Sequence, residues 1–285
     1  MQDNPIIEIL KDFGISNDKS LVHFHSGVRG NKKINVLRCK KSGIYCLDKL
    51  DIQNSYYRNN KKYTIHNKDI LNDNDRFVNQ NKEIFSNAKI LDFGCSQGLF
   101  IKKVSPIAKK VTGIEINHYN LNKLVAEGFD VRDSVAKLSN DDRFNYICLF
   151  HVFEHLSEPL TIIESLIPHL EEGGEFIIEV PQAKDFLINE LNLESFKNFT
   201  FWKEHLILHT QHSLSIFFNN LGLKTKKIIP VQRYPLSNHF YWYLKGKPGG
   251  HIHFSSMFDS NTVEKYENFL IKQGTTDTIV GYFSK

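Results

Sequence analysis

The chain has 285 residues, a net charge of +4, 41% hydrophobic and 12% aromatic residues, which excludes a disordered segment and leaves room for one large domain or a domain with a cap. Its lysines stand in scattered pairs, Lys32-Lys33, Lys40-Lys41, Lys61-Lys62 and Lys226-Lys227, not in a basic stripe, so no nucleic-acid partner is expected and a mild positive field suits an anionic small molecule. No apolar run has membrane-spanning length and Met1-Gln-Asp-Asn-Pro5 lacks the regions of a leader peptide, so the expected location is cytoplasmic, without membrane insertion, with Cys39, Cys46, Cys95 and Cys148 as thiols.

Residues 1–78 read as an N-terminal cap region. Ile34–Cys39 and Ser42–Leu47 have the composition of two strands around a turn, a hairpin. Asp51–Lys82 is rich in Asn, Asp, Tyr and Lys and reads as a loop with helices covering a pocket, with Tyr56-Tyr57 as a contact. His23, His25, Cys39 and Cys46 are zinc-type ligands, but their H-x-H and C-x₆-C spacings lack a C-x₂-C knuckle, and no metal is expected.

From Asn79 onward strands and helices alternate, the pattern of a parallel sheet covered on both faces. The first strand runs into Lys89-Ile-Leu-Asp-Phe-Gly-Cys-Ser-Gln-Gly-Leu-Phe100: an apolar run ending in an acid, a tight turn, then an amphipathic start. A dinucleotide fingerprint would need glycines at 94, 96 and 99, whereas 96 is Ser and 99 is Leu. The pattern present is Asp92-x-Gly94-x-Ser96-x-Gly98, whose glycines are expected to let a ligand reach bare backbone. A branched residue at Gly98 should then block the ligand and spare the fold. The second strand, 110–116, carries Glu115, 23 positions after Asp92, and a carboxylate there can accept both ribose hydroxyl hydrogens of a nucleoside. The third strand, 128–134, ends in Asp133-Ser134. The fourth, 144–150, runs into His151-Val-Phe-Glu-His-Leu-Ser-Glu-Pro159, and the fifth spans 170–181. Helices are expected over 97–109, 118–127, 158–170, 183–193 and 209–221, and strands six and seven over 223–230 and 276–283. The 45 residues 231–275 between these last two form an insertion rich in Arg, His, Asn, aromatics and Gly, a composition that suits a sugar or nucleotide pocket as well as a packed hairpin.

In order and spacing these stations resemble the class I S-adenosylmethionine (SAM)-dependent methyltransferases. The Asp92–Gly98 turn resembles their D/E-x-G-x-G-x-G turn with Ser for the middle Gly, and His151–Pro159 resembles the hvxEHl.dP signature of a subgroup acting on small molecules, quinones and sugars. The resemblance implies an α/β, Rossmann-like fold with a seven-stranded sheet whose last strand is antiparallel, a cap at 1–78, and a SAM-binding domain at 79–285 with the insertion at 231–275. It implies SAM as cofactor, held by Asp92, Gly94, Ser96 and Gly98, with Glu115 on the ribose and Asp133 and Ser134 at the adenine. Many members of the subgroup carry an N-terminal C-x₂-C zinc pair, which this chain lacks.

Phe201–Leu206, Val231–His239, Lys247–His251 and Thr276–Thr278 are similar to stretches of methyltransferases of bacterial surface-polysaccharide and nucleotide-sugar pathways. That likeness implies a small, anionic sugar derivative as acceptor, near Trp202, Arg233, Tyr234, Asn238 and His251. A hydroxyl acceptor needs a general base, for which His155, His205 and His239 are the candidates. His155 comes first because it follows strand four at the carboxyl edge. N- or C-methylation stays open. The competing readings are a nicotinamide-dependent oxidoreductase, opposed by the missing glycines, and an RNA or protein methyltransferase, opposed by the absence of a basic stripe and of an Asn/Asp-Pro-Pro-Tyr motif. A non-catalytic partner protein with a worn cofactor turn has only Ser96 in its favour.

Overall fold

Strands β6 (Lys89–Phe93), β7 (Lys110–Ile114), β8 (Asp130–Arg132), β9 (Phe144–Phe150) and β10 (Leu170–Pro181) bury apolar residues in the sheet's interior, most continuously in β6, β9 and the second half of β10, as central strands covered on both faces must. In the computed structural model, which describes residues 1–51, 58 and 77–285, they pair in parallel. With β12 (Lys224–Val231) and β13 (Thr278–Ser284) they form a seven-stranded sheet of order β12-β13-β10-β9-β6-β7-β8, in which β13 runs antiparallel to both neighbours. This is the α/β sheet expected from the sequence. β6 and β9 lie side by side, with Asp92 opposite Cys148, so the chain leaves the sheet in opposite directions from this central pair. Such a switch opens a crevice at the carboxyl ends of the strands.

Helix limits follow local chemistry. The expected helix 97–109 is confined to Leu99–Val104, between left-handed Gly98 and Ser105-Pro106, where proline lacks the N–H that would continue the helical ladder. Residues 183–193 do not form one helix. Asp185 caps a short turn, Phe186–Asn189, by accepting from Leu187 N, and left-handed Asn192 (φ 48°) separates it from Glu194–Thr200. Helix Gln211–Asn220 starts at a reciprocal Thr210–Ser213 capping box. The insertion is helical where a hairpin was the alternative: Leu236–Lys245, Gly250–His253 and Ser260–Gln273.

The N-terminal hairpin is present as β3 (Val36–Cys39) and β4 (Tyr45–Leu47), and it is part of a larger unit. β2 (Leu21–His25) flanks β3, and β11 (Ile207–Leu208), a strand the sequence reading lacks, adds to β4 from the far half of the chain. One buried cluster runs from Ile6, Leu10, Val36 and Tyr45 to Phe153, Phe217 and Phe283 without a break. Buried Asn4 stitches the same seam, its Nδ2 donating to the carbonyls of Leu47 and Leu206 and its Oδ1 accepting from Ile6 N. Tyr56-Tyr57 lie outside the described residues. Among those residues, no helix is long and apolar enough to cross a membrane.

Because residues 1–51 share the main core, urea unfolding should proceed in a single transition. Asn4→Ala should lower stability by about 2–4 kcal/mol, since it strands several buried backbone groups. A separate early transition, or an unchanged midpoint in the variant, would contradict the shared core.

Candidate active site

The turn after β6 folds over the end of β7, with Gly94 N and Cys95 N both donating to the Ile114 carbonyl. Gly94, Ser96 and Gly98 have φ of 77°, 49° and 71°. All three lie in the left-handed region that glycine enters freely and serine at a cost of about 1–2 kcal/mol. The glycines do more than bare the backbone. A Cβ on Gly98 would run into Leu124 Cδ2, and one on Gly94 would meet Val152 Cγ2 at 2.6 Å. Close packing of the turn against the next helix and against the loop after β9 therefore requires them, which corrects the expectation that a branched residue at Gly98 would spare the fold.

Glu115, immediately beyond β7, is buried, and its carboxylate is already aimed. Oε2 accepts from Ser96 N at 2.7 Å and Oε1 from Asn117 N at 2.6 Å. Each oxygen keeps a further lone pair, the acceptor pair a ribose diol needs, so the residues present fit the nucleoside of SAM. Burial, with the Glu115 charge beside it, pushes the Asp92 carboxyl up to about 8. Burial also raises Glu115, against the pull of the backbone N–H groups of Asn117, Ser96 and Ile116. Asp133 and Ser134 follow β8, the next strand along this edge, joined by a bond from Ser134 Oγ to Asp133 Oδ1. Asp92, Glu115 and Asp133 thus mark the ends of three adjacent strands.

Beside this edge lies a cavity of about 420 Å³ whose lining includes His151, His205, Arg233, Tyr234, Asn238, Trp242 and His251. Of the residues expected at the acceptor, Arg233, Tyr234, Asn238 and His251 line it. Trp202 does not: its ring carries the Arg29 guanidinium 4.7 Å from the centroid and packs on His155 and His205. Asp277 holds the cavity's rim by accepting from Gln232 Nε2, Arg233 N and Tyr234 N. Two further wall residues, Trp242 and His151, were not candidates from the sequence. Trp242, from the insertion helix, packs on Phe196 and Phe199. His151, the first residue after β9, has φ 53°, a strained value for a non-glycine residue. Arg233 Nη1 donates to its Nε2 at 2.6 Å. Its place at the head of the EH segment was visible in the sequence, but its turned backbone was not. Val152, next in the chain, packs on Gly94, so the loop after β9 touches the cofactor turn and the cavity together.

The three candidate bases separate. His205 lines the cavity. His239 lies outside the lining and is locked in place. Its Nδ1 bonds the Tyr266 hydroxyl, its Nε2 is 3.2 Å from Gln232 Nε2, and its ring stacks on Phe186. Burial pushes His205 down to about 3 and His239 to about 4, below the range of a general base at neutral pH. His155 sits behind His205 with ring centroids 4.9 Å apart, and its Nδ1 donates to the Glu204 carbonyl at 2.7 Å. Between them stands Glu154, 1% exposed, neither of whose carboxylate oxygens has a hydrogen-bond partner.

Glu115→Ala should weaken SAM binding by about 1–3 kcal/mol in calorimetry, the worth of bonds to a charged acceptor. Unchanged affinity would remove Glu115 from the cofactor. Gly98→Val should lower stability by about 2–5 kcal/mol through left-handed strain and overpacking on Leu124, and a wild-type urea midpoint would refute the packing role.

A family model described as "Methyltransferase domain" matches residues 66–227, more than half of the chain. Among solved structures, a SAM-dependent methyltransferase from Archaeoglobus fulgidus is 17% identical with a TM-score of 0.51, over 75% of this chain and 94% of that one. A chain from the complex of the Haloferax volcanii Trm112 methyltransferase activator with a methyltransferase is 10% identical with a TM-score of 0.51, over 82% of this chain and 99% of that one. A comparison with curated proteins finds no match. Sheet order, carboxyl-edge turn and family match agree, and the chain belongs to the class I SAM-dependent methyltransferases.

Proposed function

We propose that this methyltransferase acts on a small anionic acceptor, a hydroxyl of a nucleotide-activated sugar or surface-glycan precursor, seated in the cavity beside the cofactor edge. The observation that carries this reading is the lining itself. Aromatic walls from Phe196, Phe199, Tyr234 and Trp242 surround Arg233, Asn238, His151 and His251, and flat apolar faces with a few convergent polar groups suit a sugar or a base. Arg233 supplies the planar fork that a phosphate or carboxylate takes up in two bonds. Burial raises Asp185 and Asp277, the acids in the same lining, so they oppose an anion less than their number suggests.

SAM, when bound at the Asp92–Gly98 turn and Glu115, supplies an electrophilic methyl group. The protein's part is alignment: the loop His151–Val152 runs from the cavity wall to the cofactor turn, and an acceptor in the cavity would lie on the same side as the cofactor. In-line placement of this kind supplies much of the rate of a displacement. A hydroxyl acceptor sheds its proton at the His151 side of this wall. Cytoplasmic action fits a soluble nucleotide-linked acceptor.

The direct test incubates the protein with SAM and a panel of nucleotide sugars and reads the products by mass spectrometry. A product one methylene heavier is expected from an acidic or phosphate-bearing acceptor and none from neutral free sugars. Methylation of neutral acceptors alone would overturn the anionic assignment. With the acceptor in hand, Arg233→Ala should raise its KM about 10–100-fold and leave SAM affinity level, the worth of a hydrogen bond between charged groups. A fall in SAM affinity instead would place Arg233 on the cofactor side.

A further inference from the structure

We propose that Glu154, His155 and His205 form a binding site for a divalent transition-metal ion of the zinc type at the inner wall of the acceptor cavity. Among the described residues this is the group of three or more His, Cys, Asp or Glu whose ligand atoms converge, each within 4.8 Å of the others. His23, His25, Cys39 and Cys46 do not form such a group.

Four observations fit an ion and fit a plain packed cluster poorly. Glu154 is 1% exposed and neither oxygen has a hydrogen-bond partner; the nearest imidazole nitrogens are His151 Nδ1 at 3.4 Å and His155 Nε2 at 3.8 Å. A buried carboxylate whose closest partner is one imidazole at 3.4 Å, with no hydrogen bond on either oxygen, is costly to hold. His205 Nδ1 is likewise buried with no partner. His155 donates from Nδ1 to the Glu204 carbonyl at 2.7 Å, which fixes the tautomer and leaves the Nε2 lone pair facing Glu154. This outer-shell bond is the usual orienting device of a metal-ligating histidine. The two segments are also pinned together, Leu206 N donating to the Glu154 carbonyl and His205 N to the Trp202 carbonyl, so the three ligands sit on a braced frame.

Two imidazoles and one carboxylate select zinc, iron, cobalt or nickel over calcium and magnesium, which prefer all-oxygen shells. Three protein ligands leave coordination positions open. Because His205 lines the cavity, an open position faces the space where an acceptor oxygen would enter, and an ion there would polarise that oxygen and lower its proton affinity. His151 Nδ1, 3.4 Å from Glu154 Oε1, is placed to brace the carboxylate ligand. The site stands apart from the acceptor reading, since a metal can bind whichever acceptor the cavity takes.

The test uses the full chain, stripped with a chelator and dialysed. Titration with Co²⁺ should give d–d absorption bands, displaced by stoichiometric Zn²⁺, and anomalous diffraction at the zinc edge from soaked crystals should place one ion between Glu154, His155 and His205. Glu154→Gln, His155→Ala and His205→Ala should each weaken Co²⁺ binding by more than the about 10–100-fold that an outer-shell partner is worth. No binding by the wild type, an anomalous peak elsewhere, or unchanged affinity in all three variants would overturn the site. If a variant fails to fold, the wild-type diffraction result decides. Retention of SAM binding in the metal-free protein separates this proposal from the cofactor assignment.

Discussion

A carboxylate buried at the end of a strand must find donors or a cation, and the working edge of this protein is built from that requirement. Glu115 is met by the N–H groups of Ser96 and Asn117, which fastens the cofactor turn to the strand beside it. Asp277 is met by Gln232 and by the backbone of Arg233 and Tyr234, which fixes where the insertion leaves the sheet and hence where Arg233 stands. Asp185 caps the turn on the opposite rim. Glu154 departs from this rule: it is more deeply buried than Glu115 or Asp185, yet neither of its oxygens has a hydrogen-bond partner. Where the other carboxylates are spent on the fold, this one stands among the imidazoles of His151, His155 and His205 at the cavity wall.

The sheet was legible because its information is local. Apolar runs, the acids at the ends of β6, β7 and β8 and Gly-containing turns survive any change in tertiary detail; five of the seven core strands fall within the spans the pattern assigns, and β12 and β13 overrun theirs by one residue. Elements that depend on distant partners were not legible. β11 is two residues long and exists only because β4 offers it an edge. The 231–275 connection was marked as functional by composition, but its helices and the anchoring role of Asp277 come from tertiary contacts that composition does not encode.

The site divides in the same way. Arg233, Tyr234, Asn238 and His251 meet at one cavity, as their clustering in a single insertion suggested. Among the histidines, chain position alone could not tell a wall residue from a locked one: His239 is tied between Gln232 and Tyr266, while His151 reaches the wall through a backbone turn that the sequence gives no sign of. Gly98 carries a similar lesson, since its demand for a hydrogen in place of a side chain comes from Leu124.

The central claim is that one cofactor edge and one acceptor cavity share the loop after β9, so that the methyl group is delivered to the His151 side of the sheet. A crystal structure of the complex with S-adenosylhomocysteine tests it most directly. The account predicts the ribose hydroxyls on Glu115, the adenine beside Asp133 and Ser134, and the sulfur at the mouth of the cavity near His151. A cofactor bound in the turn with its sulfur directed away from that cavity, or bound away from Glu115 altogether, would contradict it.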